Sequence, residues 1–265
     1  MKEPWNDYVE PIKIWGNLYF VGTEAASVHI IDTGEGLIML DTGYQQSLYL
    51  VIHNMHLLGL NPLNLKYIML THGHIDHLGG ARALKELTGA KIALGKEDKD
   101  YANGKLDLTY AKELEMEYTE TFEPDILLSH GDTITLGNTT IRAVATPGHT
   151  PGAMSFFFDV YDGQRKARAV LHGGMGINTM SAEFLTKYNL PFSLREDFKK
   201  AMKRLNEEKV DIFLGNHMQH NDTLGKAEKL KKGETDAFIN PEEWAPYNEW
   251  CIENLNNMIN SENEK

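Results

Sequence analysis

The stretch THGHIDH at residues 71–77 follows directly on an apolar run, YIML, and carries four side chains that can bind metal. His72 and His74 are two residues apart, so both side chains point to the same side of an extended chain. Asp76 and His77 lie slightly further along and reach a second point. Imidazole and carboxylate groups are common protein ligands of zinc. The stretch therefore predicts two adjacent metal ions at the end of a strand.

Further ligands must come from elsewhere in the chain, because a zinc site takes three or four protein ligands. His149 lies in the turn TPGHTPG between two predicted strands, and His217 follows the apolar run VDIFL. We expect both loops to reach the same sheet edge as residues 71–77. His220 is a competitor for the role of His217, but it lies three residues further from the strand, which favours a place beside the site. His172 also ends a predicted strand and is a candidate for lining the site.

The composition is that of an ordinary globular protein, with 265 residues, 42% hydrophobic and 24% charged. The 26 Lys and Arg against 38 Asp and Glu give a net charge of −12. This surplus repels phosphate backbones and anionic membranes, so we expect a small-molecule substrate and neither a nucleic-acid nor a membrane partner. Cys251 is the only cysteine, so a metal site must use His and carboxylate ligands.

The order of predicted elements indicates two similar halves, each a run of short strands followed by a helix and a buried strand. Two such halves predict two sheets packed face to face, with helices outside. We expect the polar tail after Asn254 to fray. We expect one domain over residues 1–265, with an N-terminal extension at 1–14, a loop and helix excursion at 95–124 that could form a lid, and a C-terminal helix and tail at 240–265.

The first ten residues, MKEPWNDYVE, lack the apolar core of a signal peptide. No apolar run approaches the ~18 residues of a membrane span. We expect a cytoplasmic protein as the chain stands, and a periplasmic or secreted one if a signal peptide has been removed. The sequence does not indicate the oligomeric state.

These motifs together resemble the metallo-β-lactamase superfamily. The resemblance rests on HxHxDH at 72–77, Gly-His at 148–149, Leu-Asp-Thr-Gly at 40–43 and the late His217, and it spans residues 15–220. The stretches GNLYFVGT and ATPGHTPGAMSF look most like the third subclass (B3) of class B β-lactamases. The resemblance implies a mixed α/β fold, a four-layer αββα sandwich with a dinuclear metal site at one sheet edge.

The resemblance also implies two zinc ions per chain and a role for each matching residue. Asp41 would orient a ligand histidine by a hydrogen bond, as ligating imidazoles usually require, although a plain turn residue before Thr42 and Gly43 is an equal alternative. The first zinc would be held by His72, His74 and His149, and the second by Asp76, His77 and His217. The candidates for the surroundings of the ions are Asp41, His172, Met175, Asn178 and His220.

The implied activity is zinc-dependent hydrolysis, in which the ions lower the pKa of a shared water and hydroxide attacks a carbonyl group. Asp76 would act first as a ligand and second as the acceptor of a proton, because a metal-bound carboxylate is a weak base. The favoured substrate is a β-lactam ring. The alternatives are a lactone, another cyclic ester or amide, or a thioester, and, in a different class, a non-hydrolytic metal-binding or iron redox protein. The acidic balance disfavours the nuclease branch.

The chain departs from the family pattern in the segment LHGGMG at residues 171–176. Superfamily members that cleave thioesters or phosphodiesters usually have an Asp there that bridges both metals. First-subclass lactamases use a Cys near this place, and the third subclass commonly has a Ser. This chain has Gly174 or Met175 instead. The missing Asp favours lactamase-like over thioesterase-like chemistry, whereas the missing Ser weakens the lactamase assignment.

Overall fold

A computed structural model describes residues 3–264, which form two β-sheets with helices on their outer faces. The seven strands of the first sheet lie side by side in chain order: β1 (Ile12–Trp15), β2 (Leu18–Phe20), β3 (His29–Asp32), β4 (Leu37–Leu40), β5 (Leu65–Met69), β6 (Lys91–Gly95) and β7 (Ile126–Leu128). The five strands of the second sheet, in reverse order from β12 to β8, are β8 (Thr133–Leu136), β9 (Thr139–Ala145), β10 (Met154–Asp162), β11 (Arg165–Leu171) and β12 (Ile212–Leu214).

The α-helices of the described residues flank the sheets. They are α1 (Leu48–Leu57), α2 (Ile75–Leu78), α3 (Ala81–Thr88), α4 (Lys99–Ala102), α5 (Ala182–Lys187), α6 (Ser193–Leu205), α7 (Thr223–Lys231) and α8 (Trp244–Asn263). None of these helices is both long enough and apolar enough to cross a membrane.

Three apolar layers hold the sandwich together. Phe20 and Leu40 of the first sheet meet Phe156 and Phe158 of the second in the central layer between the sheets. The outer face of the first sheet packs against α1 and α3, and that of the second sheet against α6 and α8. Burial of these faces is the main stabilising contribution to such a fold. The predicted αββα arrangement is confirmed.

The strand directions bring the functional loops to one edge. In the first sheet β4, β5, β6 and β7 are parallel, so their carboxyl ends share an edge. In the second sheet β11 and β12 are parallel, and β9 runs the same way because both β9 and β11 are antiparallel to β10. The two edges meet, since the Met154 amide donates to the Thr71 carbonyl at 2.8 Å. Loops that follow these strands therefore converge.

Several elements differ from the sequence-based expectations. Strand β1 begins at Ile12, inside the segment expected to be an extension, because Ile12 and Ile14 bury their side chains in the central layer. The short strand β7 and the helices α5 and α7 were not predicted. The expected fraying after Asn254 is wrong, because α8 continues to Asn263, where the Glu262 carboxylate accepts hydrogen bonds from the Ala182 amide (2.7 Å) and from Arg195 (2.6 Å).

The excursion at residues 95–124 contains α4 and short 3-10 turns. Tyr110 of this excursion contacts Asn178 in the loop after β11, and Glu113 contacts Lys187 of α5.

Candidate metal centre

The structure brings all six predicted ligands together at the shared edge. His72, His74 and His149 each offer one ligand atom, and the three atoms lie within 4.8 Å of one another. The same is true of His72, Asp76 and His77. His217 completes the second group, because its Nε2 lies 3.4 Å from Oδ2 of Asp76. We call the two sets the first triad (His72, His74, His149) and the second triad (Asp76, His77, His217).

Each triad takes side chains from both sheets. The loop after β5 supplies two members to each triad, whereas His149 comes from the β9–β10 turn and His217 follows β12. The loop after β5 differs from the open loop that we expected, because residues Ile75–Leu78 form the helical turn α2. His74 keeps an extended conformation just before it, and the turn carries Asp76 and His77 to the second triad.

The Nδ1 atoms of four predicted ligands have hydrogen-bond partners in the protein. His149 donates to the Gly176 carbonyl at 2.7 Å, and His217 donates to the Ala25 carbonyl at 3.0 Å. His77 Nδ1 lies 2.9 Å from Asp41, and His72 Nδ1 lies 3.0 Å from the Thr71 hydroxyl. Such contacts fix the orientation of each ring, so that Nε2 is the nitrogen available to bind a metal ion.

The residues of the two triads are suited to bind metal. Nε2 of His72 is buried and makes no hydrogen bond within residues 3–264, and the buried Nε2 of His77 has only Oδ2 of Asp76 beside it, at 3.1 Å. Buried polar atoms of native proteins are almost always satisfied, so such orphaned atoms require an explanation. A metal ion is the partner that a cluster of imidazole nitrogens and a carboxylate is suited to bind.

The electrostatics keep most of the predicted ligands deprotonated. Burial lowers the pKa of His72 and His74 far below the usual value, and it lowers that of His149 to about 4. Burial opposes ionisation of Asp76, but His77 and His217 outweigh it and hold the pKa of this carboxyl well below its usual range. Metal binding needs these unprotonated forms.

His77 is the exception among the predicted ligands. Burial lowers its pKa, but Asp76 and Asp41 outweigh burial and raise the pKa to about 10. The negative charge that favours a proton on this ring equally favours a cation bound at Nε2.

A cavity of about 210 Å³ opens beside the two triads. Its residues that are not predicted ligands are Tyr44, Tyr110, Leu114, Met175, Gly176, Asn178, Asn216 and His220. A larger groove of about 580 Å³ lies between the N-terminal segment and α7, away from the triads. We place the candidate site at the smaller cavity, because only there do the predicted ligands converge.

Of the residues predicted to surround the ions, Met175, Asn178 and His220 line this cavity, and Asp41 contacts Nδ1 of His77. His172 does not line this cavity. Its ring faces away, 5.6 Å from the Trp244 ring, because the chain turns at once and Nδ1 of His172 donates to the Gly173 carbonyl at 2.9 Å.

Tyr44, Tyr110 and Asn216 are wall residues that sequence reasoning missed. The hydroxyl of Tyr110 accepts a hydrogen bond from Nδ2 of Asn178 at 2.7 Å, and its ring lies 5.4 Å from that of His74. Tyr110 has a left-handed backbone, with φ of 64°. A non-glycine residue held in this region is uncommon and often belongs to a functional site. Tyr110 thus forms a roof over the cavity, held by the loop after β11.

The unusual segment after β11 encloses the ring of His149. A Cβ atom at Gly174 would lie 2.9 Å from Cβ of His149, and one at Gly176 would lie 2.7 Å from Cε1 of the same ring. The backbone at Gly174 is also left-handed, with φ of 39°. Neither an Asp nor a Ser therefore fits at Gly174 unless His149 moves.

Comparison with known proteins agrees with this geometry. The native FEZ-1 metallo-beta-lactamase from Legionella gormanii has a TM-score of 0.89 at 28% identity, over 98% of each chain. BJP-1, a subclass B3 metallo-beta-lactamase of Bradyrhizobium japonicum, has a TM-score of 0.86 at 28% identity, over 99% of this chain and 98% of that one. The predicted resemblance to the third subclass is confirmed.

Curated sequence relatives match over shorter stretches. A hydroxyacylglutathione hydrolase of a Bradyrhizobium species is 32% identical over 99 residues, which is 37% of this chain and 31% of that protein. The alignments with the curated relatives cover less than two thirds of those proteins' own length. The sequence profile of the metallo-beta-lactamase superfamily matches residues 21–162, more than half of the 265 residues, and the chain therefore belongs to this superfamily.

Proposed function

We propose that the protein is a zinc-dependent hydrolase that opens a β-lactam or a similar cyclic amide. The proposal is carried by the convergence of the two triads beside a cavity, with the buried Nε2 of His72 left without a partner among the described residues. It is supported by similarity to subclass B3 lactamases along nearly the whole chain. His and Asp donors suit zinc. A pair of bound divalent ions activates water near neutral pH and polarises a carbonyl group.

In this proposal the first triad holds one ion and the second triad holds the other. Oδ2 of Asp76 lies 3.1 Å from Nε2 of His77 and 3.4 Å from Nε2 of His217, at the wall of the cavity. The carboxylate is therefore placed both to bind an ion and to accept a hydrogen bond from the attacking water. Asp76 remains ionised at neutral pH, because its histidine neighbours hold its pKa well below the usual range.

The size of the cavity bears on the substrate. A volume of about 210 Å³ is below the ~300–1,000 Å³ that usually enclose a drug-sized ligand. A small lactone would lie within this volume, whereas a bicyclic β-lactam would extend beyond it through the open side of the cavity. This observation favours lactone hydrolysis as the second candidate function.

Thioester hydrolysis is a further alternative, supported by local similarity to a hydroxyacylglutathione hydrolase. It is disfavoured by the segment around Gly174, where the family's bridging carboxylate is missing and the ring of His149 takes the space.

The test combines metal analysis with turnover by the full chain. Purified protein is loaded with zinc, its metal content is measured, and a chromogenic cephalosporin, an acyl lactone and a glutathione thioester are assayed in parallel. We expect two zinc ions per chain and opening of the cephalosporin. Turnover of the lactone alone would replace the β-lactam assignment by the second candidate. His74→Ala should lose zinc and all activity, whereas His56→Ala, an exposed residue on α1, should retain both.

A further inference from the structure

Asp98 is a buried carboxylate that the mechanism above does not use. It lies just beyond the carboxyl end of β6, at the same sheet edge as the two triads, and its side chain is inaccessible to solvent. Burial raises its pKa to about 6, in spite of the hydrogen bonds that it accepts, so it is ionised at neutral pH. A buried charge of this kind requires compensation by several donors.

The donors to Asp98 come from the two loops that carry the first triad. Oδ2 accepts from the Gly73 amide at 2.8 Å and from the Thr150 hydroxyl at 2.5 Å. Oδ1 accepts from the Gly152 amide at 2.7 Å. Gly73 stands between His72 and His74, and Thr150 follows His149 directly. A single carboxylate therefore ties together the loops that present all three members of this triad.

The backbone around Asp98 is shaped for this contact. A Cβ atom at Gly95 would lie 1.9 Å from the Gly152 carbonyl oxygen, and one at Gly152 would lie 2.7 Å from Oδ1 of Asp98. A Cβ at Gly73 would meet Cβ of Asp98 at 3.2 Å. The end of β6 and the two loops thus approach one another more closely than residues with side chains would allow.

We propose that Asp98 is a positioning residue for the first metal ion, setting the separation between the His72–His74 loop and the His149 loop. The proposal rests on the metal centre proposed above. The rings of His74 and His149 have centroids 4.4 Å apart, and those of His72 and His149 are 4.8 Å apart. Loss of Asp98 would leave two buried amides and a hydroxyl without an acceptor, so the loops must rearrange to satisfy them.

The second triad provides an internal reference. Its supports are the contacts of Asp41 with His77 and of Ala25 with His217, and Asp98 touches neither. Removal of Asp98 should therefore weaken the first metal site more than the second, because Asp76 and His77 share the loop of Gly73 but His77 keeps its contact with Asp41. A purely structural role would lower stability without this selectivity.

The experiment compares wild type, Asp98→Asn and Thr150→Ala as full chains stripped of metal. Asp98→Asn keeps the size of the side chain. The Thr150 hydroxyl can rotate and accept a hydrogen bond from the new side-chain amide, whereas the Gly73 amide can only donate and would lose its acceptor. Each protein is titrated with Co²⁺ against a chromophoric chelator, while the cobalt absorption spectrum is recorded. We expect one of two binding steps to weaken 10–100-fold in Asp98→Asn and less in Thr150→Ala.

Asp211→Asn is the matched control, because Oδ2 of Asp211 also accepts a backbone amide, from Arg168 at 2.7 Å, but away from the triads. It should bind two ions with wild-type affinities. If Asp98→Asn kept both binding affinities and the cobalt spectrum of the wild type, the positioning role would be overturned, even if the variant were less stable. The proposed metal centre would stand. A wild type that binds no metal would overturn the proposed centre, and this inference with it.

Discussion

Nδ1 of His77 lies 2.9 Å from Oδ2 of Asp41, and both side chains are buried. The same oxygen accepts the Thr71 hydroxyl at 2.8 Å. Because that hydroxyl donates its only proton to Asp41, it accepts from Nδ1 of His72 at 3.0 Å. One carboxylate thus orients a member of each triad, directly in one case and through Thr71 in the other.

Asp41→Asn should weaken zinc binding at both triads. The carboxylate accepts three donors, from His77, the Thr71 hydroxyl and the Thr71 amide, and an amide side chain cannot accept them all. We expect a loss of about 10–100-fold in zinc affinity, measured by competition with a chelator. Asp125→Asn is the control, because Asp125 accepts a hydrogen bond from the Ile92 amide at 2.9 Å, at the end of β6 that is remote from the triads. Equal zinc affinity in the two variants would contradict the orienting role of Asp41.

Tyr110→Phe should loosen the roof of the cavity without removing metal. The change deletes the acceptor for Asn178, a hydrogen bond whose net contribution is about 0.5–1.5 kcal/mol. Amide hydrogen exchange over residues 103–119 should then accelerate about two- to tenfold. Tyr118→Phe is the matched control, because the Tyr118 hydroxyl donates to Ala102 within the same excursion. If both variants exchanged alike, the contact with Asn178 would not be what holds the roof.

His29 should make the metal-free protein sensitive to acid. Burial lowers its pKa to about 3, and Nδ1 has no hydrogen-bond partner within the described residues. The unfolded chain takes up this proton near pH 6.5, whereas the folded chain takes it up only near pH 3. The free energy of unfolding therefore falls as the pH drops through this window, by about 1.4 kcal/mol per pH unit from this residue.

The measurement for His29 is urea unfolding of metal-free protein at neutral pH and at about pH 5. Between the two conditions His29→Gln should lose about 2 kcal/mol less than wild type. The packing cost of the substitution is the same at both pH values. It therefore cancels when the change in unfolding free energy between the two pH values is compared for wild type and variant. Identical losses would show that His29 is protonated in the folded protein.

Gly174→Asp should remove metal and should not create a thioesterase. The new Cβ would lie 2.9 Å from Cβ of His149, so the ring must leave the first triad. We expect zinc to fall from two ions per chain to one. Gly163→Asp is the control, because it carries the same left-handed strain, with φ of 59°, at a turn where a Cβ meets nothing within 4 Å. It should lose about 1–2 kcal/mol of stability and keep its zinc.

The sequence predicts the αββα fold and the convergence of the six ligands, because these depend on strand ends and on short-range spacing. The sequence does not predict which way a side chain points when this depends on contacts between distant parts of the fold. His172 ends a strand like His217, yet the turn at Gly173 sends its ring towards Trp244.

Asp98 and Tyr110 carry no spacing signal, since their partners are distant in the chain. Gly73 is 25 residues from Asp98 and Asn178 is 68 from Tyr110. Glycines without Cβ atoms allow the contacts of Asp98, and a local left-handed backbone allows that of Tyr110. Such features appear only in three dimensions.

Each triad draws members from both sheets, and this has a consequence for biosynthesis. The ribosome adds residues at roughly 5–20 per second, so about 7–30 s separate the appearance of His72 from that of His217, 145 positions later. During this interval the nascent chain exposes only partial chelating sets. The three members of the first triad are present once His149 has been made, whereas the second triad must wait for β12 and His217. A chain stalled before this strand would lack the second triad.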